Sequence, residues 1–289
     1  MKGIILAGGL GTRLYPATYS VCKQLLPVYD KPMIFYPLSV LMLANIKDIL
    51  IISTKKDLPN FKNLLGAGSQ LGIKISYATQ HEPRGLVDAF IIGKKFIKKD
   101  NVCLILGDNL FYGEGLPQLL RQSIEIVKKN KKAIIFSYKV SNPKNYGVVK
   151  EKNNKIVSLI EKPASSNFKD AVIGLYLYPN EVLNLSKKIK PSKRGELEIT
   201  DLNNLFLKNK SLELRKLGRG ISWFDTGSAE NLYEASQLIR IIEKRIGYKI
   251  GCLEEISLNK KWINKKKFQQ NIKKYKKSEY GKYLMELIK

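Results

Sequence analysis

The chain has little of what a redox-linked or membrane-bound protein needs. Its three cysteines, Cys22, Cys103 and Cys252, are odd in number and far apart, which fits neither a disulfide framework nor a zinc site. No stretch approaches the roughly 18 unbroken apolar residues of a membrane span. Gly8, Gly9 and Arg13 interrupt the N-terminal apolar run too early for a signal peptide. Internal repeats, low-complexity segments and flexible linkers are missing too. We therefore expect a soluble, cytoplasmic protein with no membrane partner.

Acidic residues are also scarce, 25 Asp and Glu against 51 Lys and Arg, for a formal charge of +26. Residues 240–289 hold 15 basic and 5 acidic residues, so this tail carries +10. The remainder is spread as single or paired lysines on expected helix faces. Specific nucleic-acid binders concentrate charge and add a recognisable motif, and none of the familiar ones is present. A solvated lysine surface is the plainer reading and a polyanion patch the other; we expect no nucleic-acid partner. The surplus charge would help attract small anionic substrates at low salt.

What is there is an α/β pattern. With 289 residues and 44 % hydrophobic residues, the chain can build one large domain or a domain with an appendage. Apolar runs at 3–7, 48–54, 73–78, 101–108 and 132–140 read as strands. Amphipathic stretches at 33–45, 57–66, 86–97 and 117–129 read as helices between them. Continuous apolar strands alternating with helices indicate a mostly parallel sheet covered on both faces. After residue 141 a β-hairpin is expected around Lys152–Asn153–Asn154, then a strand through AVIGLYLYP. A helix through GELEITDLNNLFLKN follows, with two strands in LELRKLG and ISWFDTG and a long helix at 228–246. We expect a Rossmann-like domain over 1–246, with a nucleotide half at about 1–140 and a small β-rich half at about 141–227. Residues 247–289 read as a basic helical extension.

The chemistry begins with LAGGLGTRL. Gly8, Gly9 and Gly11 let backbone amides approach phosphate oxygens, and Arg13 adds a planar cationic fork suited to phosphate. The run lacks the third glycine of G-x-G-x-x-G and the G-K-[ST] of a P-loop. Three further pieces join it. Lys23 lies in CKQLLPVYDKPMI, Asp108 at the expected strand end in LILGDNLFYG, and Asp225 at another in WFDTG. Two carboxylates from distant sequence could converge on one Mg²⁺, which typically takes one or two carboxylates and completes its shell with water and phosphates.

Together these pieces resemble the sugar-nucleotidyltransferases along nearly the whole chain. LAGGLGTRL marks the superfamily, while KQLLPVYDKPMI and RGELEITD are closer to its thymidylyltransferase branch; YGVV, EKP and FDTGS agree. The resemblance implies that dTTP and α-D-glucose 1-phosphate give dTDP-glucose and pyrophosphate by in-line attack at the α-phosphorus. The attacking oxygen is already ionised, so no general base is required and the lone histidine, His81, need not be catalytic.

The resemblance also implies residue roles. Gly8, Gly9, Gly11 and Thr12 would cradle the nucleotide, Arg13 the departing pyrophosphate, and Lys23 the reacting phosphates. Lys162 would anchor the sugar phosphate, and Asp108 and Asp225 would hold Mg²⁺. Asn109, Tyr146, Gly147, Glu161 and Val172 would face the hexose, and Gln24, Gln80 and Gly85 the thymine. A homotetramer inhibited by dTDP-rhamnose at a second site is implied as well, with Gly218 and Arg219 part of that site, in a pathway to dTDP-sugars. Without the resemblance, Glu161 is a hairpin residue, Gln80 opens a polar loop, and Gly147 and Gly174 are ordinary strand or turn glycines. Asp201 reads as a helix brace and Trp223 as core packing.

Leu10, Cys22 and the stretch QHEPRGLVDA, with His81, Arg84 and Val87, depart from the family pattern and leave strictness for dTTP over UTP open. A different donor or sugar phosphate remains open, as does a catalytically silent sugar-nucleotide sensor on the same fold.

Overall fold

The computed structural model describes every residue except Asn154 and Ser166. Strand β1 (Lys2–Ala7) is followed by a two-stranded clasp of β2 (Pro27–Val28) and β3 (Lys31–Pro32). Helix α1 (Phe35–Leu43), β4 (Asp48–Ser53), α2 (Leu58–Leu65) and β5 (Lys74–Thr79) come next. Short helices α3 (Asp88–Ile92) and α4 (Lys94–Ile97) lead into β6 (Val102–Leu106) and β7 (Asn109–Gly113). The first half closes with α5 (Leu116–Asn130) and β8 (Ala133–Lys139). In the second half, β9 (Val148–Lys152) and β10 (Lys155–Ile160) flank the expected hairpin turn, of which Asn154 lies outside the described residues. Then come β11 (Asp170–Tyr178), α6 (Val182–Leu185), α7 (Ile199–Lys208), β12 (Leu212–Lys216) and β13 (Ile221–Asp225). The chain ends with α8 (Ala229–Ile246), α9 (Leu253–Asn259), α10 (Lys265–Ile272) and α11 (Glu279–Glu286).

Strands β5, β4, β1 and β6 run parallel in that order, and their alternating side chains feed two cores. Ile5, Ile49, Ile51 and Ile105 pack under α1, α2 and α5; Ile4, Leu50, Ile52 and Leu104 pack under α3, α6 and α7. Burial on both faces is why these strands read as unbroken apolar runs. The expected mostly parallel, helix-sandwiched α/β sheet is the one observed. Antiparallel pairing enters through β11, whose last residues pair with β6 while Ala171 pairs with Val148 of β9. One long strand thus serves two neighbours on the same edge. Its register against β8 shifts between Val172 and Tyr176, and a fork opens in the sheet beside Gly174.

The helix expected at 86–97 is split in two at Gly93, and two further details near the site differ from expectation. The strand ending in Asp108 stops at Leu106, because Gly107 turns the chain with its amide on the Leu6 carbonyl at 2.9 Å. Asp108 therefore lies in a tight turn, and β7 pairs with β13 in a separate small sheet. The helix expected from Gly195 begins at Ile199, because tertiary pairing holds Leu197 extended. Its amide bonds the Arg84 carbonyl at 2.7 Å and its carbonyl accepts from the Val87 amide at 3.3 Å.

Helix α8 is stopped by Gly247 at φ +75°, a conformation that suits glycine. Beyond it, Phe268, Ile272, Tyr280 and Leu284 form a satellite core around Cys252. This tail is fastened to the main body by Asn271 Nδ2 on the Gln70 carbonyl (2.5 Å) and Lys260 Nζ on the Leu43 carbonyl (3.3 Å). No helix is long and apolar enough to cross a membrane among the described residues.

A buried ionic clasp joins the β2–β3 turn to the end of α8. Lys31 is 2 % exposed and donates to Glu243 Oε1 at 2.8 Å and to Asp30; Lys249 donates to Glu243 Oε2 at 2.8 Å, and the Ile250 amide to Oε1 at 2.8 Å. Removing one partner of a buried pair leaves an uncompensated charge, which costs more than the pair itself contributes. Glu243→Gln should therefore lower unfolding free energy by about 3 kcal/mol in chemical denaturation, with Lys31→Met milder because Lys249 still neutralises Glu243. Equal, negligible losses would contradict this role for the clasp.

Candidate functional site

The site sits at the carboxyl edge of the parallel strands, where β1 has β4 on one side and β6 on the other, the switch point at which open α/β sheets bind ligands. The loop after β1 turns through Gly11 at φ +67°, and Thr18 Oγ1 fastens it by donating to the Gly11 carbonyl at 2.6 Å. Thr12 and Arg13 follow in a single 3-10 turn and are exposed. The Arg13 guanidinium lies over Gly227, where a Cβ would strike Nη2 and come within 2.9 Å of Asp225 Oδ1.

Across the loop, Gly8 packs on the Gln80 carboxamide so closely that a Cβ would collide with Oε1. Gln80 Nε2 donates to Asp88 Oδ2 at 3.1 Å, and Arg84 Nη2 donates to Asp88 Oδ1 at 2.7 Å. Gly85, at φ +100°, lies flat on the Leu197 backbone, where a Cβ would approach the nitrogen and oxygen to 2.6 Å. Gly8, Gly9, Lys23, Gln24, Gln80, Pro83, Gly85, Leu86 and Asp108 line a cleft of about 200 Å³. Cys22, beside Lys23, is buried and donates to Gln24 Oε1 at 3.0 Å; burial pushes its thiol up to about 12, so it is an inert packing group.

Asp108 faces this cleft from the turn after β6. Lys23 Nζ is ion-paired to its Oδ2, Asn109 Nδ2 donates to its Oδ1 at 3.0 Å, and Thr226 Oγ1 donates to its carbonyl at 2.7 Å. Burial alone would raise the Asp108 pKa, but the Lys23 charge and the hydrogen bonds from Lys23 and Asn109 to the carboxylate outweigh it and hold the carboxyl below the usual range. The antiparallel register sets Asp225 opposite Asn109, one residue from Asp108. Burial and the Asp108 charge push the Asp225 pKa up, against the pull of Lys23 and Arg13. Two neighbouring carboxylates with opposite shifts suit a hard divalent cation that takes one or two carboxylates and fills its shell with water and phosphate oxygens. Among the described residues no group of three or more His, Cys, Asp or Glu side chains forms a cage, so substrate would supply the remaining ligands.

The fork beside β11 holds a second cavity of about 270 Å³, lined by Arg13, Asp108, Tyr146, Gly147, Glu161, Lys162, Val172, Thr200 and Asp225 among others. Thr200 Oγ1 donates to Glu161 Oε2, and Arg194 lies 3.7 Å from Glu161 Oε1 while pairing with Glu196 at 2.8 Å. Burial raises the Glu161 pKa despite these partners. A Cβ on Gly147 would reach Thr200 Oγ1 at 2.9 Å and Glu161 Oε2 at 3.3 Å, so the glycine leaves that side open. Lys162 adopts φ +39°, a backbone position few lysines take; its amide bonds the Tyr146 carbonyl at 3.1 Å. Asn109 lines the cavity, yet its oxygen accepts from Trp223 Nε1 (2.6 Å) and the Gly174 amide (3.1 Å), so its carboxamide is engaged within the protein.

The two cavities share Leu86, Leu106, Asp108 and Glu196. Residues from nine stretches of the chain thus line two cavities that share one carboxylate. A model of the nucleotidyl transferase family matches residues 2–241. The chain belongs to the nucleotidyl transferase family. Similar proteins include the glucose-1-phosphate thymidylyltransferases of Neisseria meningitidis serogroup A, 51 % identical over the whole of both chains, and Neisseria gonorrhoeae, 50 % identical over all of this chain and 99 % of that one. Among solved structures, a provisionally named glucose-1-phosphate thymidylyltransferase from Bacillus anthracis superposes with a TM-score of 0.76 at 38 % identity, covering 83 % of this chain and 95 % of that one. A UDP-glucose pyrophosphorylase bound to UDP-glucose gives 0.73 at 26 %, covering 83 % and 98 %.

Within this transferase, Gly218 and Arg219 lie in an exposed turn between β12 and β13, lining neither cavity. Asp201 is exposed in the first turn of α7, where an anion complements the helix dipole, and it lines neither cavity. His81 is exposed at the rim. Not singled out from the sequence were Asp88, which accepts from Gln80, and Thr200 and Arg194, which sit against Glu161. The carboxylate of Asp88 and the RGELEITD run were visible signals, but their partners are distant in sequence.

The two aspartates differ in sign. Asp108 stabilises the fold above the ordinary carboxylate range, and that stability is lost as pH falls through its depressed pKa. Asp225, with a raised pKa, destabilises the fold as pH rises through it. At neutral pH without substrate, Asp225→Asn should raise the melting temperature by about 2 °C and Asp108→Asn should lower it, by scanning calorimetry. The same sign in both variants would contradict the charge assignment.

Proposed function

We propose that this transferase moves a thymidylyl group from dTTP to α-D-glucose 1-phosphate, releasing pyrophosphate and forming dTDP-glucose. The observation that carries the reading is the meeting of two cavities at Asp108, one walled by glycine backbone and Gln80, the other by Glu161, Lys162 and Gly147. Full-length relatives bearing the name glucose-1-phosphate thymidylyltransferase support it.

On this reading the base enters beside Gly8, Gln24, Gln80 and Gly85, and the triphosphate follows the Gly9–Thr12 loop. Arg13 holds the leaving pyrophosphate, and Lys23 shifts from Asp108 to the reacting phosphates as they arrive. Lys162 fixes the phosphate of the sugar, while Glu161, Gly147, Val172 and Tyr146 border the hexose. Asn109 holds Asp108 and the sugar-cavity wall in place. The nucleophile is an ionised phosphate oxygen, so the protein's work is to bring two anions together in line and to offset charge on the transferred group. Enzymes of this family typically use a divalent cation; here we take it to be Mg²⁺, held by Asp108 and Asp225, where it would neutralise and polarise the α-phosphate.

The proposal extends to domain roles: a nucleotide half at about 1–140, a sugar half at about 141–227, and the helical extension at 247–289. It also includes a cytoplasmic homotetramer, with Gly218 and Arg219 in a dTDP-rhamnose site and the product committed to deoxysugar synthesis.

Pyrophosphate release with glucose 1-phosphate should be fastest with dTTP, measurable with UTP, and abolished by chelation and restored by Mg²⁺. UTP preferred by a wide margin, or full activity in excess chelator, would contradict the donor or the metal respectively.

A further inference from the structure

We propose that Asp88, braced by Arg84, is a positioning residue that sets nucleobase choice by forcing Gln80 to present its oxygen to the base. The inference rests on the reading that the Gly8–Gln80 cleft takes the nucleobase. A glutamine amide can offer either its donor or its acceptor, and free rotation would let it pair with several bases. Here rotation is blocked. Asp88 is 1 % exposed, and both of its carboxylate oxygens serve as acceptors. It takes one bond from Gln80 Nε2 at 3.1 Å and one from Arg84 Nη2 at 2.7 Å. Flipping the Gln80 amide would set its oxygen against that carboxylate, two acceptors in a buried spot with no proton between them.

The rest of Gln80 is equally fixed. Its backbone amide bonds the Ser53 carbonyl at 2.8 Å, its side chain is 5 % exposed, and Oε1 lies against Gly8 at the cleft wall. Among the described residues no hydrogen bond engages Oε1, which leaves it to accept from a base bound in the cleft. A keto pyrimidine offers a single ring donor, N3–H, between two carbonyls; cytosine places an acceptor at N3. The fixed oxygen therefore pairs with thymine or uracil and repels the cytosine ring nitrogen, rejection by an unpaired polar group as well as attraction to the right one. Because the C5 position takes no part, this device separates keto from amino pyrimidines without separating thymine from uracil.

Asparagine at position 88 can donate as well as accept and frees the Gln80 amide to turn. The test is kcat/KM for dTTP and dCTP, each with glucose 1-phosphate, in the wild type and in Asp88→Asn. We expect the dTTP-to-dCTP ratio to shrink by about tenfold or more, mainly through a higher KM for dTTP, with kcat changed less than about threefold because Lys23, Asp108 and Lys162 are untouched. Arg84→Gln, which loosens the same carboxylate from the surface, should shrink the ratio in the same direction by a smaller factor and serves if Asp88→Asn does not fold. A merely structural role lowers both substrates equally, so an unchanged ratio in a folded variant overturns the proposal. A wild type that itself prefers dCTP or a purine nucleotide overturns instead the nucleobase reading on which it rests.

Discussion

Asn109 is buried where three elements meet. Its carboxamide gives a hydrogen to Asp108 and takes two, from the indole of Trp223 and the amide of Gly174. With that one side chain the turn after β6, the forked strand β11 and the small β7–β13 sheet are held in mutual register. Asp108 is oriented by it together with Lys23 and Thr226, and the fork beside Gly174 is tied to the same side chain. Trp223, in turn, packs edge-on against Tyr146 with ring centres 5.3 Å apart, carrying the same constraint to the sugar-side wall.

Such rigidity is needed because the site is electrostatically unfavourable until it is filled. A buried carboxylate and its neighbour repel each other; Lys23 pairs with Asp108, and the pull of Lys23 and Arg13 on Asp225 does not offset burial and that repulsion. Polyphosphates and a divalent cation would bring charges of both signs into the same space, so substrate binding resolves a conflict that folding leaves standing. Groups fixed in advance toward the charge of a transition state need no reorganisation when it forms. Stability given up at Asp225 is supplied elsewhere, in the two apolar cores and in the Lys31–Glu243 clasp.

Much of this was legible in the sequence. Parallel strands announced themselves as unbroken apolar runs because both faces are covered, and the loop after β1 by its glycines and Arg13. Asp108 and Asp225 could be picked out from their strand-end contexts, although the turn at Gly107 moved Asp108 off the strand itself. Illegible were interactions between residues far apart in the chain. Nothing near Asp88 reveals that its carboxylate meets Gln80, nor does the RGELEITD run show that Leu197 is kept extended by Arg84 and Val87. Local propensity favoured helix there, and tertiary hydrogen bonds overrode it.

On the proposed function, Asp108 lies at the junction of a base cleft and a sugar cavity. A crystal structure with dTDP-glucose and Mg²⁺ tests it directly. Thymine should lie against Gly8 and Gln80, the hexose between Gly147 and Glu161, and the diphosphate should pass Asp108 with Lys23 turned from the aspartate to a phosphate oxygen. A product bound away from Asp108, or one whose sugar lies outside the β11 fork, would contradict it.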